Sequence, residues 1–359
     1  MRKTLILTTA FAGIASVALA DGEVNVVSWG GAYEVSQVEA YNKPFSDKTG
    51  IKVNMLAADD PATPLKAQIE ANNITGDVFD ITVSDAIRLC DEGALLEINP
   101  DDLPAAPDGT PASEDFIDGA LQECAVANIF WGTAIAYDTT KYGDNPPMTA
   151  ADFFDLEKFP GKRGLPKSPK RTLYLALIAD GVPADQIYDK LNTPEGVDQA
   201  FAKLDTIKKD VVWWEAGAQP VQLLADGEVV MTTGYNGRFF DAIVGEGKPF
   251  QMIWDGQYLD VDVFAIPKGA PNPEAAMEYL KFATDTQRLA DQAKYIAYGP
   301  ARKSSAALVG LYKDGKTEMA PHMPTNPENL KSAVMDDAEF WADHDAELSE
   351  QFNSWLAAS

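Results

Sequence analysis

The chain has 359 residues and a formal net charge of −26, from 29 Lys and Arg against 55 Asp and Glu. This balance excludes a nucleic-acid binder, because neutralising phosphates requires clustered Lys and Arg, and it argues against an anionic lipid surface as a partner. Hydrophobic residues make up 46% of the chain, so the protein is globular, and at about 100–200 residues per domain its length predicts two domains.

The first twenty residues have the pattern of a secretory signal peptide. Arg2 and Lys3 form a short positive region, residues 5–17 are apolar, and residues 18–20 match an A-x-A cleavage site. The apolar run is shorter than the ~20 residues that a membrane span requires. We therefore expect cleavage after Ala20, export to the periplasm of a Gram-negative cell, and a mature net charge of −28 once Arg2 and Lys3 are lost.

The chain contains two cysteines, Cys90 and Cys124. Outside the reducing cytosol such a pair predicts a disulfide, with two buried free thiols as the alternative. A structural zinc site is not expected, because the two histidines of the chain, His322 and His344, both lie near its C-terminus without further ligands of the right kind.

The N-terminal part alternates strands and helices. Residues 24–29 predict a strand, a helical pattern follows, and residues 51–55 predict a second strand, so the chain opens β-α-β and favours a parallel sheet. Residues 78–83 predict a third strand. Open α/β sheets place ligand groups just outside the carboxyl ends of their strands, and Trp29 and Ser84 occupy such ends.

Two long apolar stretches, 125–138 and 258–267, are long enough to pass between domains. The residues between them repeat the alternation of strands and helices. We therefore predict an α/β protein of two lobes, each a mostly parallel sheet flanked by helices, joined by a two-strand hinge. Lobe 1 comprises residues 21–134 and 268–359, including the C-terminal helices, and lobe 2 comprises residues 135–267.

Signatures of catalysis are scarce. The chain has no G-x-S-x-G, H-E-x-x-H or G-x-x-x-x-G-K-[ST] motif and no G-x-G-x-x-G after a strand. With two histidines and a predicted disulfide, mechanisms based on a histidine base or a cysteine nucleophile both lack parts. We expect a binding protein without catalytic residues, metal or cofactor, and keep an exported α/β hydrolase or lyase as the alternative.

A different signal is the placement of aromatic and charged residues at predicted strand ends and turns. In a cleft between two lobes they would form a pocket whose aromatic faces attract a cation, each contact contributing ~0.5–2 kcal/mol. The candidate ligand-binding residues are Trp29, Tyr33, Ser84, Tyr235, Arg238, Asp260, Asp262 and Tyr298.

Seven short segments occur in a specific order: 27–33 (VSWGGAY), 48–53 (KTGIKV), 79–84 (FDITVS), 131–135 (WGTAI), 224–229 (LADGEV), 235–237 (YNG) and 262–267 (DVFAIP). This ordered set, spread over residues 23–310, resembles the periplasmic solute-binding proteins of ABC importers, in particular the spermidine/putrescine branch. The resemblance implies a type II-like two-lobe fold that closes on its ligand. It also implies a monomer that delivers a small amine to a permease and ATPase at the inner membrane.

The resemblance also implies roles for individual residues. Polyamine pockets of this family enclose the methylene chain with aromatic rings and hold each ammonium with a carboxylate. Trp29 and Tyr33 match the aromatic positions of the first lobe, and Ser84 matches a polar contact at a strand end. Tyr235 matches an aromatic of the second lobe, and Asp262 matches the main amine-binding carboxylate. Thiamine is a rival ligand, and so is ferric iron, although the adjacent tyrosines of iron-binding relatives are absent here.

Two departures from the polyamine pattern concern charge. Residues 167–172 are basic where polyamine binders carry acidic residues, and Asp260 replaces a tryptophan two positions before Asp262. With Arg238 nearby, one acidic and one basic end suit a zwitterion, whose carboxylate Arg238 would hold and whose ammonium Asp262 would hold. We therefore expect an ω-amino acid such as 4-aminobutyrate, with putrescine or spermidine as the competing ligand. A salt bridge remains the alternative role for Arg238, and Lys170 and Arg171 either form a solvated turn or reach the cleft.

Overall fold

A computed structural model of the protein describes residues 22–358. The predicted signal peptide and its cleavage site lie outside this range. Between residues 22 and 358, none of the helices combines the length and the apolar character needed to cross a bilayer.

Eleven strands within the described range form one sheet that runs through both lobes, in the order β2-β1-β3-β9-β5-β8-β6-β7. The short strands β4 and β10 pair with β5, and β11 pairs with β9. The strands are β1 (Glu23–Trp29), β2 (Lys52–Ala58), β3 (Val78–Thr82), β4 (Leu121–Gln122), β5 (Ala125–Asp138), β6 (Arg163–Pro166), β7 (Val211–Trp214), β8 (Met231–Tyr235), β9 (Phe250–Ala265), β10 (Gly299–Pro300) and β11 (Val334–Met335).

Helices flank this sheet, and two π-helical turns, Val38–Asn42 and Asp241–Gly245, extend or join them. The helices are α1 (Ala32–Gln37), α2 (Lys43–Thr49), α3 (Ala62–Glu70), α4 (Val83–Asp91), α5 (Ala112–Asp115), α6 (Ala150–Phe154), α7 (Leu173–Ala179), α8 (Ile187–Leu191), α9 (Pro194–Asp205), α10 (Gln219–Ala225), α11 (Asn236–Phe240), α12 (Pro273–Ala283), α13 (Thr286–Gln292), α14 (Lys303–Ala306) and α15 (Ala338–Ala357).

Each lobe contains a set of parallel strands, as predicted. In lobe 1, β1 pairs in parallel with β2 and β3, and in lobe 2, β6 pairs in parallel with β7 and β8. The antiparallel pair β5 and β9 joins the two sets. This confirms the predicted fold class, a two-lobe α/β protein with a parallel set of strands in each lobe.

The hinge strands contribute to both hydrophobic cores. On β5, residues up to Phe130 pack into the core of lobe 1 and Ile135 packs into that of lobe 2. On β9, Tyr258 belongs to the core of lobe 2 and Leu259 to that of lobe 1. The chain therefore returns from lobe 2 to lobe 1 before residue 267, because the second half of β9 already pairs with β3 of lobe 1.

The C-terminal helix is placed differently from our prediction, which assigned it to lobe 1. Phe352 and Trp355 of α15 pack against Phe201 and Trp213 of lobe 2, with ring centroids 5.4–6.4 Å apart. The same helix lies against α4 of lobe 1. Aromatic burial on lobe 2 therefore determines where this amphipathic helix docks, and α15 links the lobes in addition to the two hinge strands.

The predicted disulfide between Cys90 and Cys124 is confirmed. It joins the end of α4 to the turn that precedes β5, across 34 residues of chain. A crosslink over a loop of this length stabilises a fold by about 4 kcal/mol in the chain-entropy model. The bond therefore fixes α4 to the start of a hinge strand in lobe 1.

Candidate functional site

A small cavity lies between the lobes. Its empty volume, which includes space open to solvent, is about 320 Å³. Eight residues line it: Trp29, Tyr33, Trp131, Arg171, Tyr235, Arg238, Asp262 and Tyr298. The structure thus brings six of the eight predicted residues together, and it adds Trp131 and Arg171. Aromatic walls with a few convergent charged groups are typical of a small-molecule site.

The wall from lobe 1 is aromatic. Trp29 ends β1, a turn at Gly30 and Gly31 follows, and Tyr33 lies in the first turn of α1. The Tyr33 ring meets Tyr298 edge to face, with centroids 5.5 Å apart. This packing holds the two rings rigid, so they form a fixed surface for the methylene groups of a ligand.

Asp262 supplies the negative charge of the cavity. It lies on β9 opposite Thr82 of β3 and Ile129 of β5, and its Oδ1 accepts a hydrogen bond from Trp131 Nε1 at 2.8 Å. Burial raises the pKa of this carboxyl well above its usual value, and the carboxylates of Asp80 and Asp260 raise it further. A buried carboxylate of this kind gains a large stabilisation when a ligand cation is placed next to it.

The wall from lobe 2 is basic. Arg238, in the middle of the short helix α11, donates from Nη2 to the carbonyl oxygen of Gly30 in lobe 1 at 2.9 Å. Arg171, in the loop between β6 and α7, donates to the hydroxyl of Tyr235. Its guanidinium carbon lies 5.4 Å from the Tyr235 ring and 5.8 Å from the Trp131 ring. Both guanidinium groups are therefore held at the cavity by specific contacts.

Three buried N–H groups on cavity residues find no acceptor among the described residues: Trp29 Nε1, Arg171 Nε and Arg238 Nε. A buried donor without an acceptor costs about 1–3 kcal/mol. All three belong to residues that line the cavity, and two of them belong to guanidinium groups. The basic wall is thus equipped to bind an anion with several acceptor atoms, such as a carboxylate.

Ser84 and Asp260, which we predicted as ligand contacts, do not line this cavity. Both contact Lys170 of lobe 2, whose Nζ is 3.3 Å from Ser84 Oγ, 3.3 Å from Asp260 Oδ2 and 3.0 Å from Asp336 Oδ1. Burial opposes the charge of Lys170, but the two carboxylates outweigh it and raise the Lys170 pKa. Ser84 and Asp260 thus belong to an ion cluster beside the cavity, formed by Lys170, Asp260 and Asp336.

The sequence alone leaves the role of Arg171 open and does not single out Trp131. Arg171 follows β6 at the carboxyl edge of the lobe 2 sheet, which is the position where ligand groups are expected. Trp131 lies near the middle of β5, in a strand buried along its whole length, so its sequence pattern does not distinguish it from core residues. Its place at the site is visible only in the structure, where it lines the cavity and donates to Asp262.

Gly31 gives a direct test of this geometry. Its φ is +76°, and a Cβ there would lie 2.5 Å from Arg238 Nη1. We expect Gly31→Ala to displace Arg238 and weaken ligand binding at least tenfold, besides costing about 1–3 kcal/mol of stability from backbone strain. Calorimetric titration of the ligand and thermal unfolding measure the two effects. Gly109→Ala is the control, since Gly109 has a φ of +91° and a Cβ there would meet no atom within 4 Å, so its affinity should match wild type.

Comparison with known proteins places the chain in a family. Residues 38–325 match the model of the bacterial extracellular solute-binding protein family. The chain is 40% identical over 348 residues, 96% of its length and 95% of the relative's, to the gamma-aminobutyric acid-binding protein of Pseudomonas aeruginosa PAO1. The fold and cavity define a two-lobe binding protein, and the chain belongs to the bacterial extracellular solute-binding protein family.

Solved structures agree with this assignment. The periplasmic binding protein MotA of A. tumefaciens B6, in complex with glucopine, has a TM-score of 0.83 and 33% identity, covering 93% of this chain and 99% of that one. A GABA receptor has a TM-score of 0.78 and 31% identity, covering 94% and 98%. The family that we expected from the sequence is confirmed, and its polyamine branch stays a prediction.

Proposed function

We propose that the protein captures an ω-amino acid, with 4-aminobutyrate as the best candidate, in the cavity between its lobes. The observation that carries this proposal is the opposition of charges across the cavity: the carboxylate of Asp262 on one side, and the guanidinium groups of Arg171 and Arg238 on the other. Asp262 would bind the ammonium of the ligand and the two arginines its carboxylate. The aromatic rings between these ends would pack against the methylene groups.

Net charge favours a zwitterion over a diamine. Two arginines and one aspartate line the cavity, so its lining already carries an excess of one positive charge. A diamine would add two positive charges and place one of them beside a guanidinium group, where like charges repel. A zwitterion adds no net charge and pairs both of its ends. A binding experiment with putrescine, a diamine, therefore tests this argument.

The relatives support the same ligand class. A gamma-aminobutyric acid-binding protein shares 40% of its residues with this chain over nearly the full length of both. A GABA receptor is also similar in fold at 31% identity. By these likenesses the protein would act by binding and release rather than by catalysis, as a periplasmic monomer that hands its ligand to an ABC permease coupled to an ATPase.

Closure of the lobes explains how binding would be communicated to such a permease. Arg238 of lobe 2 already contacts Gly30 of lobe 1, so the side chain that would hold the ligand carboxylate also joins the two lobes. A ligand that bridges Asp262 and Arg238 therefore stabilises the closed form relative to the open one. A permease that recognises both lobes at their closed spacing would bind the loaded protein preferentially.

Titration of refolded, ligand-free protein tests the proposal. We expect 4-aminobutyrate to bind with micromolar or lower Kd and putrescine to bind at least a hundredfold more weakly, because only the zwitterion pairs with both walls of the cavity. 4-Aminobutanamide, which keeps the ammonium but lacks the carboxylate charge, should also bind weakly. Tight binding of putrescine without a response to 4-aminobutyrate would overturn the proposal.

A further inference from the structure

A second carboxylate, Asp80, lies behind the cavity and does not line it. Asp80 is on β3, opposite Phe264 of β9, while Thr82 is opposite Asp262. Side chains alternate between the two faces of a strand, so Asp80 and Asp262 share one face of the sheet and are diagonal neighbours on adjacent strands. The sheet therefore places two buried carboxylates side by side, one lining the cavity and one beneath it.

Asp80 is the centre of a buried hydrogen-bond network. Its Oδ2 accepts bonds from Ser28 Oγ at 3.0 Å, Tyr33 Oη at 2.8 Å, Gln37 Nε2 at 2.5 Å and Asn128 Nδ2 at 3.1 Å. Asn128 is the extra residue at a bulge in β5, between Ala127 and Ile129, which re-aims its side chain. Four side chains from three elements of lobe 1, β1, α1 and β5, thus hold one oxygen of a carboxylate that the ligand would not touch.

The network leaves two acceptors without a donor. Asp80 Oδ1 and Asn128 Oδ1 are both buried and find no hydrogen-bond partner among the described residues. Neither residue is exposed at all. Protonation of a carboxyl turns one of its oxygens from an acceptor into a donor, so these unpaired acceptor oxygens are compatible with a proton on Asp80.

We propose that Asp80 and Asp262 act as a pair that holds one proton in the empty protein and releases it when the ammonium of the ligand binds. In the balanced step, the protonated pair and the zwitterion give the complex, with both carboxylates ionised, and one proton passes to solvent. The ammonium replaces the proton as the counter-charge. Asp80 is thus a positioning residue that makes the Asp262 side of the cavity favour an ammonium group, and this inference rests on the proposed function for the identity of the ligand.

The electrostatics of the pair are consistent with one shared proton. Burial raises the pKa of Asp80 to about 6 even though four donors oppose the rise. Asp80 is in turn the strongest of the neighbouring charges that raise the pKa of Asp262. Two carboxylates coupled in this way titrate together, so the proton belongs to the pair. The other titratable or charged groups that act on the pair are Tyr33, Tyr41, Arg171, Asp260, Tyr279 and Tyr298.

Calorimetric titration in buffers of different ionisation enthalpy counts the protons. At pH 5.5, wild type should release about one proton for each 4-aminobutyrate bound, and affinity should fall roughly tenfold per pH unit below the midpoint of the pair. Asp80→Asn should release less than half a proton at that pH. Ser28→Ala removes one donor to Asp80 outside the cavity, so it should shift the midpoint upward while leaving affinity at pH 8 unchanged.

A ligand-free measurement separates this inference from the proposed function. Carbon-13 NMR of the aspartate carboxyl groups in the empty protein should show a titration above pH 5.5 that Asp80→Asn moves or removes. Two results would overturn the proton pair and leave the ligand assignment intact. One is a heat of 4-aminobutyrate binding that does not depend on the buffer, and the other is titration of every aspartate below pH 5. A failure to bind 4-aminobutyrate together with the high titration overturns the ligand assignment alone.

Discussion

Replacing Asp262 with asparagine should remove most of the affinity for 4-aminobutyrate. The change keeps the size of the side chain and an oxygen that can accept from Trp131 Nε1, but it leaves the ligand ammonium without its counter-charge in a buried site. Losing one partner of a buried charge pair costs about 2–5 kcal/mol, so Kd should rise between roughly thirtyfold and several thousandfold. Titration of the ligand at pH 7.5 measures the change.

The same variant should fold at least as well as wild type. In the empty protein the pKa of Asp262 is raised, so ionisation of this carboxyl opposes folding, and the free energy of unfolding falls as pH rises from about 4 through the raised pKa. The amide of asparagine carries no charge at any pH, so the variant does not lose this free energy of unfolding as pH rises. We expect an unchanged or higher Tm for Asp262→Asn at pH 7.5 without ligand. Affinity equal to that of wild type would show that the ammonium binds elsewhere.

Replacing both arginines of the cavity should change which ligand the protein prefers. Arg171→Gln and Arg238→Gln each remove a guanidinium that would bind the ligand carboxylate, and a hydrogen bond to a charged group contributes about 1.5–3 kcal/mol. Each variant should therefore lose roughly tenfold to a hundredfold in affinity for 4-aminobutyrate. The double variant removes two positive charges from the cavity, so its affinity for putrescine should rise relative to wild type.

A matched control exists in the same loop. Lys167 lies four residues before Arg171 but is exposed, pairs with the exposed Glu215 at 3.3 Å, and does not line the cavity. Lys167→Gln therefore removes one positive charge without removing a proposed ligand contact, and its affinities should stay within about twofold of wild type. A preference for 4-aminobutyrate that survives in the double arginine variant would contradict the proposed role of the basic wall.

The sequence predicts the architecture well because the architecture depends on local patterns. Buried strands appear as apolar runs, and the two long runs at 125–138 and 258–267 correspond to β5 and to the second half of β9. The placement of α15 was not predictable in this way. An amphipathic helix at the end of a chain can dock on either lobe, and its position depends on aromatic partners, Phe201 and Trp213, that lie far away in the sequence.

The candidate site was predictable in part for a related reason. Residues at strand ends and turns, such as Trp29 and Arg238, are marked by position, and six of them converge on the cavity. The sequence pattern does not indicate which side chains contact one another. Asp260 and Asp262 lie two residues apart on β9, and we predicted both as ligand contacts, yet Lys170 pairs with Asp260 while Asp262 faces the cavity. Only the three-dimensional packing of Lys170 distinguishes the two aspartates.

The position of α15 has a consequence for domain motion. Two strands alone form a hinge that can both bend and twist, because they leave the lobes free to rotate about the strand direction. A helix packed on lobe 2 through Phe352 and Trp355 and lying against α4 of lobe 1 adds a third point of attachment away from those strands. Opening of the cleft must therefore either pivot around the contact between α15 and α4 or break that contact.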